Sequence, residues 1–152
     1  MIQRTPNDDP KKPLILDRLA KFYWKLAGDA QNSAYLKEEK CFEASKKTDD
    51  DIDRCADLRV SELRKAEDVR AKAIEVYSHI VRSFPNFDDL DQILFALGFN
   101  FQQKQQYEDA KKIYTELIQR YPDSPMLADA IFSLADIYFA TGDVTNAGQL
   151  YS

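Results

Sequence analysis

The two cysteines are the residues whose position defines a possible chemistry most sharply. Cys41 and Cys55 are the only cysteines among 152 residues, and each lies seven residues from position 48. If two antiparallel helices meet in a turn there, the two thiols face each other and can form a disulfide. The alternative is a pair of reduced cysteines that serve as small packing residues. The C-x13-C spacing differs from the C-x2-C of redox catalysts, so we expect no redox catalysis.

A disulfide at this position would indicate an oxidising compartment, such as a bacterial periplasm. It would close a loop of about 15 residues and contribute about 3 kcal/mol to stability. Pairing counted outward from Ala20 and Ala73 places Cys41 opposite about position 52, one helical turn from Cys55. The two estimates of the register therefore agree only approximately.

Other residue types that could bind metals or catalyse reactions form no recognisable site. His79 is the only histidine, and two distant cysteines with one histidine do not make a zinc site. The acidic run 49–53 lacks the glycine and terminal glutamate of a calcium loop, so helix capping by Thr48 or Asp49 is the better interpretation. No glycine-rich phosphate loop or nucleophile elbow is present. We therefore predict no catalytic residue, no metal and no cofactor.

The composition predicts a helical protein without a nucleic-acid or membrane-spanning surface. Hydrophobic residues make up 44% of the chain and charged residues 31%, with four glycines and a net charge of −5. Charges of both signs are interspersed, and no basic face suits nucleic acid. No apolar run is long enough to span a bilayer.

Three sets of residues recur with a spacing of 37 positions. They are Ala73, Ala110 and Ala147; Tyr77, Tyr114 and Tyr151; and Pro85 and Pro122. In each repeat, the segment that contains the alanine and the tyrosine follows another segment with large residues three or four positions apart. This spacing is typical of an amphipathic helix. The sequence therefore predicts a repeated pair of helices.

The segment from Leu94 to Pro122 carries the most complete form of this repeat. It follows the W-x2-L-G-x2-Y…A-x3-F…P pattern, with Leu94 in place of the tryptophan. The chain thus resembles the tetratricopeptide repeat (TPR) proteins. The resemblance implies an all-α fold, a right-handed αα-superhelix in which the first (A) helix of each repeat lines the concave face. Gly98 and Ala110 are expected where the two helices cross closely.

Repeat one departs from this pattern in its turn. Fifty residues separate Tyr23 from Ala73, whereas nine separate Phe101 from Ala110, which leaves 41 extra residues. Strong helix formers flank the insertion. We expect both helices to continue into a long projecting antiparallel hairpin that covers about residues 28–68. A mid-helix glycine is unfavourable, so a kink or a break near Gly28 remains the alternative.

The predicted organisation has four parts. Residues 1–12 form a disordered leader, 13–85 form repeat one with its hairpin, 86–122 form repeat two, and 123–152 form repeat three, truncated in its second helix. Because the third repeat stops halfway through that helix, we expect further repeats after Ser152.

The resemblance also implies which residues line the concave groove. TPR proteins use similar positions of each A helix for binding, and carried over to this chain these positions fall on Asp17, Lys21, Trp24, Lys25, Phe95, Phe99, Gln102, Gln103, Phe132, Asp136 and Phe139. Aromatic residues in such a groove suit a peptide or a partner helix. The alternative is that some of them fill the contact with a neighbouring helix. The Lys and Asn clamp for a chaperone carboxylate is absent.

The junction Tyr121-Pro122…Pro125 is similar to those of bacterial envelope TPR proteins. These include the Tol-Pal coordinator family, the outer-membrane assembly lipoprotein, and large TPR proteins of gliding and predatory bacteria. The resemblance implies a non-catalytic, periplasmic interaction scaffold of an envelope or motility complex, with a protein partner. The alternative is a cytoplasmic TPR adaptor or regulatory domain with reduced cysteines.

Overall fold

The computed structural model describes residues 9–151, and this part of the chain is all α-helical, as predicted. It contains six helices and no strand. Their bounds are α1 Lys12–Ala44, α2 Asp49–Ser83, α3 Leu90–Gln103, α4 Tyr107–Arg120, α5 Leu127–Ala140 and α6 Val144–Tyr151. Most of the expected leader, residues 1–8, lies outside the described residues, and its last residue, Lys12, already begins α1.

The chain forms two compact units. Residues 19–73 make one, which we call the hairpin unit. The described residues 9–18 and 74–151 make the other, which we call the repeat unit. Because α1 and α2 each contribute to both, the boundaries fall within helices and not in a linker.

The repeat unit is held together by the residues that define the repeat pattern. Short loops bring consecutive helices into contact, so that α4 packs on α3, α5 on α4 and α6 on α5. Their shared core consists of Leu94, Ala110, Tyr114, Leu117, Ala130, Leu134 and Ile137. Burial of such apolar side chains supplies the main stabilising free energy of the stack.

The 37-residue period extends to the backbone hydrogen bonds of the loops. After α3, the Gln106 amide donates to the Phe101 carbonyl (2.9 Å), and after α5 the Asp143 amide donates to the Tyr138 carbonyl (2.8 Å). Both turns also contain a left-handed residue, Gln105 with φ 58° and Gly142 with φ 83°. The two turns are therefore equivalent in conformation, although only the second has the glycine that favours it.

The aromatic member of the repeat pattern is not equally buried in each repeat. Tyr77 and Tyr114 are buried, whereas Tyr151 is 51% exposed. Tyr114 is covered by α5, which packs against α4. Tyr151 ends α6, the last helix described, and no later helix of the described chain covers it. The tyrosine at this position of the repeat is therefore buried in the first two repeats and half exposed in the third.

In the hairpin unit, α1 continues through Gly28 without a break, so the alternative of a break there is wrong. Small residues on α1 and α2 allow the two arms to approach, and Ala27, Ala34 and Ala66 are buried. The Cα atoms of Cys41 and Cys55 are 5.6 Å apart. Cys41 therefore lies opposite Cys55, about one helical turn from position 52, which was expected from counting outward from Ala20 and Ala73.

The turn at the end of the hairpin, residues 45–48, is closed by a capping box. The Thr48 hydroxyl accepts a hydrogen bond from the Asp51 amide (3.3 Å). The Asp51 carboxylate in turn accepts from the Thr48 amide (3.4 Å) and the Lys46 amide (3.1 Å). The Thr48 hydroxyl also donates to the Asp51 carboxylate (3.0 Å). This hydrogen bond, with those from the two amides, lowers the pKa of Asp51. Each of the amide hydrogen bonds satisfies a group that would otherwise lack a partner at the helix start.

Candidate functional site

The residues expected to line a groove form one stripe on α3 and one on α5. Phe95, Phe99 and Gln102 follow each other at four and three residues along α3, and Phe132, Asp136 and Phe139 do so along α5. This spacing places each set on a single face of its helix. The two helices also contact each other directly.

On α3 the aromatic side chains are largely occupied by packing. Phe95 is half-buried against the core, and its ring centroid lies 5.9 Å from that of Tyr114. Phe99 is also half-buried. For Phe95 the structure therefore shows the internal contact that was the alternative to ligand binding.

The polar end of the α3 stripe is engaged by the same tyrosine. The Tyr114 hydroxyl donates a hydrogen bond to Oε1 of Gln102 (3.0 Å), while Gln103 is exposed. Burial raises the pKa of Tyr114 to about 12. The hydroxyl therefore remains a hydrogen-bond donor at any physiological pH.

On α5 the aromatic side chains are exposed. Phe132 is 58% exposed and Phe139 is 65% exposed. The Phe132 ring lies 5.8 Å from that of Tyr151, and the Tyr151 hydroxyl donates a hydrogen bond to Asp136. Sequence reasoning missed the role of Tyr151 as the partner of both residues. The signal was the repeat itself, because Phe132 and Tyr151 correspond to Phe95 and Tyr114 at a spacing of 37.

The remaining predicted groove residues lie on α1. Asp17 belongs to the repeat unit and is half-buried, whereas Lys21, Trp24 and Lys25 belong to the hairpin unit and are exposed. Trp24 retains 45% of its accessible surface.

The two cysteines lie opposite each other on the two hairpin arms, near the turn. Their sulfur atoms are 1.98 Å apart, at the distance of a disulfide bond. Cys55 is 1% exposed, and Cys41 is half-buried. Cys41 lies four residues before the turn at residues 45–48, and Cys55 lies seven residues after it.

Farther from the turn than the cysteines, ion pairs connect the two arms at positions that carry charged instead of small residues. Lys37 pairs with Glu62 (2.7 Å) and Glu38 with Arg59 (3.0 Å). Hydrogen bonds from Lys37 and then Lys65 lower the pKa of Glu62 to about 2, so its carboxylate is ionised at neutral pH. In the sequence, Lys37 interrupts the small-residue pattern of its arm. Charges of opposite sign on the two arms were the signal for this pairing.

The described chain shows no arrangement suited to a metal or a membrane span. Among residues 9–151 no group of three or more His, Cys, Asp or Glu side chains could hold a metal ion. His79 places its ring edge-on to Phe84, with centroids 6.1 Å apart. No described helix combines the length and the apolar character that crossing a bilayer requires.

Comparison with known proteins supports the repeat assignment at the second repeat. The family model of the tetratricopeptide repeat matches residues 92–124. This segment covers α3 from its third residue, the whole of α4 and the first four residues of the loop that follows α4. No curated protein matches the chain in sequence. The match and the all-helical architecture together support a tetratricopeptide repeat protein, a class whose members are generally non-catalytic scaffolds for protein–protein interaction.

Proposed function

We propose that this chain is a non-catalytic interaction module that binds a peptide or a helix of a protein partner along α5 and the adjoining face of α3. One observation carries the proposal. Phe132 and Phe139 stand on one face of α5 and remain more than half exposed. Two large aromatic rings exposed two helical turns apart suit a surface that is covered in a complex.

The chemistry of this surface indicates the kind of partner. Phe132 and Phe139 can contribute apolar contact area with little loss of side-chain entropy, because each ring has only two rotatable bonds. Gln103 on α3 and Asp136 on α5 can orient a bound segment through hydrogen bonds. A partner helix with apolar side chains three or four residues apart would match this pattern.

The first test uses the exposed aromatic residues of α5. Peptides selected from a random displayed library for binding to the protein are expected to bind the Phe132→Ala/Phe139→Ala variant roughly tenfold more weakly, since buried aromatic anchors dominate interface energies. Isothermal titration calorimetry with purified variants measures the change. Phe95 is left intact, because its truncation would disturb the core and obscure the effect.

Phe22→Ala is the matched control, because Phe22 is 59% exposed on α1. Its affinity for the same peptides should equal that of the unmodified protein. Peptides that bind the α5 variant as tightly as the unmodified protein would rule out this surface as the binding site.

We also propose a periplasmic location, within a bacterial envelope or motility complex. The placement of Cys41 opposite Cys55, with Cα atoms 5.6 Å apart, supports it, because this geometry permits a disulfide. Disulfides persist in oxidising compartments and are rare in the cytosol. The resemblance of the Tyr121–Pro125 junction to envelope TPR proteins points the same way.

Alkylation before and after reduction tests the location. Protein purified from its own cells, quenched in acid and denatured, should take up no alkylating agent until it is reduced, and two equivalents afterwards. Mass spectrometry of the peptides that contain Cys41 and Cys55 gives the result. Two thiols alkylated without reduction would instead favour the cytoplasmic adaptor with reduced cysteines.

A further inference from the structure

One side of the hairpin unit carries exposed apolar side chains on both arms. Tyr35 and Phe42 of α1 and Ile52 of α2 are between 38% and 50% exposed. Large apolar side chains that are exposed singly are common on protein surfaces, whereas a contiguous group of them is typical of an interface. These three residues belong to one contiguous surface, because they surround an ion pair that joins the arms.

The ion pair between Glu38 and Arg59 locates this surface. It joins α1 to α2 at 3.0 Å, so the two residues adjoin on the same side of the hairpin. Tyr35 precedes Glu38 by three residues and Phe42 follows it by four, which places them on the same face of α1. Ile52 precedes Arg59 by seven residues, or two helical turns, and thus shares its face of α2.

Apolar residues flank the ion pair at both ends. Phe42 and Ile52 lie nearer the turn of the hairpin. Tyr35 and the half-buried Leu63 lie farther from it, and Leu63 follows Arg59 by four residues on α2. We call this surface the hairpin face; it consists of Tyr35, Glu38, Phe42, Ile52, Arg59 and Leu63. All six residues belong to the hairpin unit.

The ion pair itself has the capacity for a second partner. A guanidinium carries five N–H donors and a carboxylate accepts up to four hydrogen bonds, while one donor of Arg59 and one oxygen of Glu38 form their contact. Both side chains also remain partly exposed. A second copy of the pair, related by two-fold symmetry, can place Glu38 of one copy beside Arg59 of the other, so that the charges alternate around the axis.

We propose that the hairpin face binds the hairpin face of a second copy of this chain, with α1 of each copy packed against α2 of the other. The two-fold axis runs along the hairpins, which point in the same direction and together form a four-helix bundle. Phe42 of each copy contacts Ile52 of the other, and Tyr35 contacts Leu63. The hairpin face lies on α1 and α2, so this association does not depend on the proposed binding along α5.

Charge selects this arrangement over the alternative. If α1 packed against α1 and α2 against α2, Glu38 would face Glu38 and Arg59 would face Arg59, and like charges repel. The arms as a whole differ in the same sense. Residues 35–47 contain four lysines and three glutamates, whereas residues 49–63 contain six acidic residues and two arginines. Packing α1 against α2 therefore brings arms of opposite net charge together.

The first test measures self-association of the full chain. Sedimentation equilibrium from micromolar to millimolar concentration should show a monomer of 17.5 kDa in equilibrium with a dimer. The Tyr35→Ala/Ile52→Ala variant should weaken the dimer roughly tenfold, since an aromatic and an aliphatic anchor are lost. Leu36→Ala/Val60→Ala is the matched control, because both residues are similarly exposed on the same arms but point away from the hairpin face. It should dimerise as the unmodified protein does.

The second test exchanges the central charges. The Glu38→Arg/Arg59→Glu variant keeps the ion pair within each chain and should dimerise with itself. Its mixed dimer with the unmodified protein should be at least about tenfold weaker, because like charges then face each other across the interface. Energy transfer between copies labelled at the N-terminal amine measures the mixing. The control is Lys37→Glu/Glu62→Lys/Lys65→Glu, which reverses the ion pairs on the other side of the hairpin and should mix freely.

Three outcomes would each overturn the proposal. The first is a chain that sediments as a monomer over the whole concentration range. The second is equal weakening of the dimer by the two alanine variants. The third is free mixing of the Glu38→Arg/Arg59→Glu variant with the unmodified protein, which would show that the ion pair acts only within one chain. Circular dichroism confirms that the variants compared have the same helix content.

Discussion

Replacing Gly98 by alanine is expected to lower the free energy of unfolding by about 1–3 kcal/mol, the range observed when extra atoms are forced into a packed core. A Cβ atom on Gly98 would lie 2.7 Å from Cε1 of Tyr114 and 3.0 Å from two further atoms of the ring. Carbon atoms in real structures do not approach so closely, so either the ring or the α3 backbone must move.

The Tyr114 ring has little freedom to yield. It is fully buried, its hydroxyl donates to Gln102, and its centroid lies 5.9 Å from that of the Phe95 ring. A shift that accommodates the new methyl group must disturb at least one of these contacts. The substitution therefore costs free energy although alanine is intrinsically the better helix former.

Gly28→Ala is the control, because it makes the same chemical change in the middle of another helix. A Cβ atom on Gly28 would meet no atom within 4 Å, so only the gain in helix propensity remains, and we expect stabilisation by about 0.4–1 kcal/mol. Urea unfolding followed by circular dichroism measures both changes. Equal effects of the two substitutions would show that α3 and α4 do not cross as closely as described.

Removal of the cysteine pair is expected to lower the free energy of unfolding at least as much as Gly98→Ala does. The Cys41→Ala/Cys55→Ala variant should lose about 3 kcal/mol of stability, because the link closes a loop of about 15 residues and restricts the unfolded chain. Alanine is preferred to serine, since Cys55 is 1% exposed and a hydroxyl would be buried there. The loss should appear in the unfolding of the hairpin unit.

The ion pairs between the arms do not replace this link. Lys37 and Arg59 are more than a third exposed, and exposed pairs contribute only about 0–1 kcal/mol each. Thermal unfolding of the oxidised protein, of the protein in reductant and of the double variant gives the comparison. The reduced protein and the double variant should unfold at a similar temperature, clearly below that of the oxidised protein. If reductant leaves the transition unchanged, the link contributes nothing to stability.

Much of the fold could be predicted because the repeat pattern is local. The apolar spacing of each short helix, the small residues at the helix crossing and the prolines after α2 and α4 all lie within one repeat. The same is true of the hairpin, whose turn follows from Thr48 and the aspartates that cap α2. Short-range hydrogen bonds and helix periodicity determine these features, so the sequence contains them explicitly.

The candidate site was predictable only as a set of positions. Phe95 and Phe132 occupy the same position of successive repeats, and their rings lie 5.9 Å and 5.8 Å from equivalent tyrosines. Yet Phe95 is half-buried and Phe132 is 58% exposed. A position in the repeat specifies the face of the helix, but the neighbouring repeat decides how much of that face is covered.

The sequence by itself determined the repeated helix pair, its period of 37 residues and the place of the long hairpin. Only the tertiary structure decided the rest. It made α1 continuous through Gly28, paired Lys37 with Glu62, and brought Asp9–Leu14 beside Ser83–Asp89 to form a cleft. The ion pair and the cleft bring together residues that are 25 or more positions apart in the sequence. The helix at Gly28 depends on the space around that residue. A local pattern of residues specifies neither the long-range contacts nor this space.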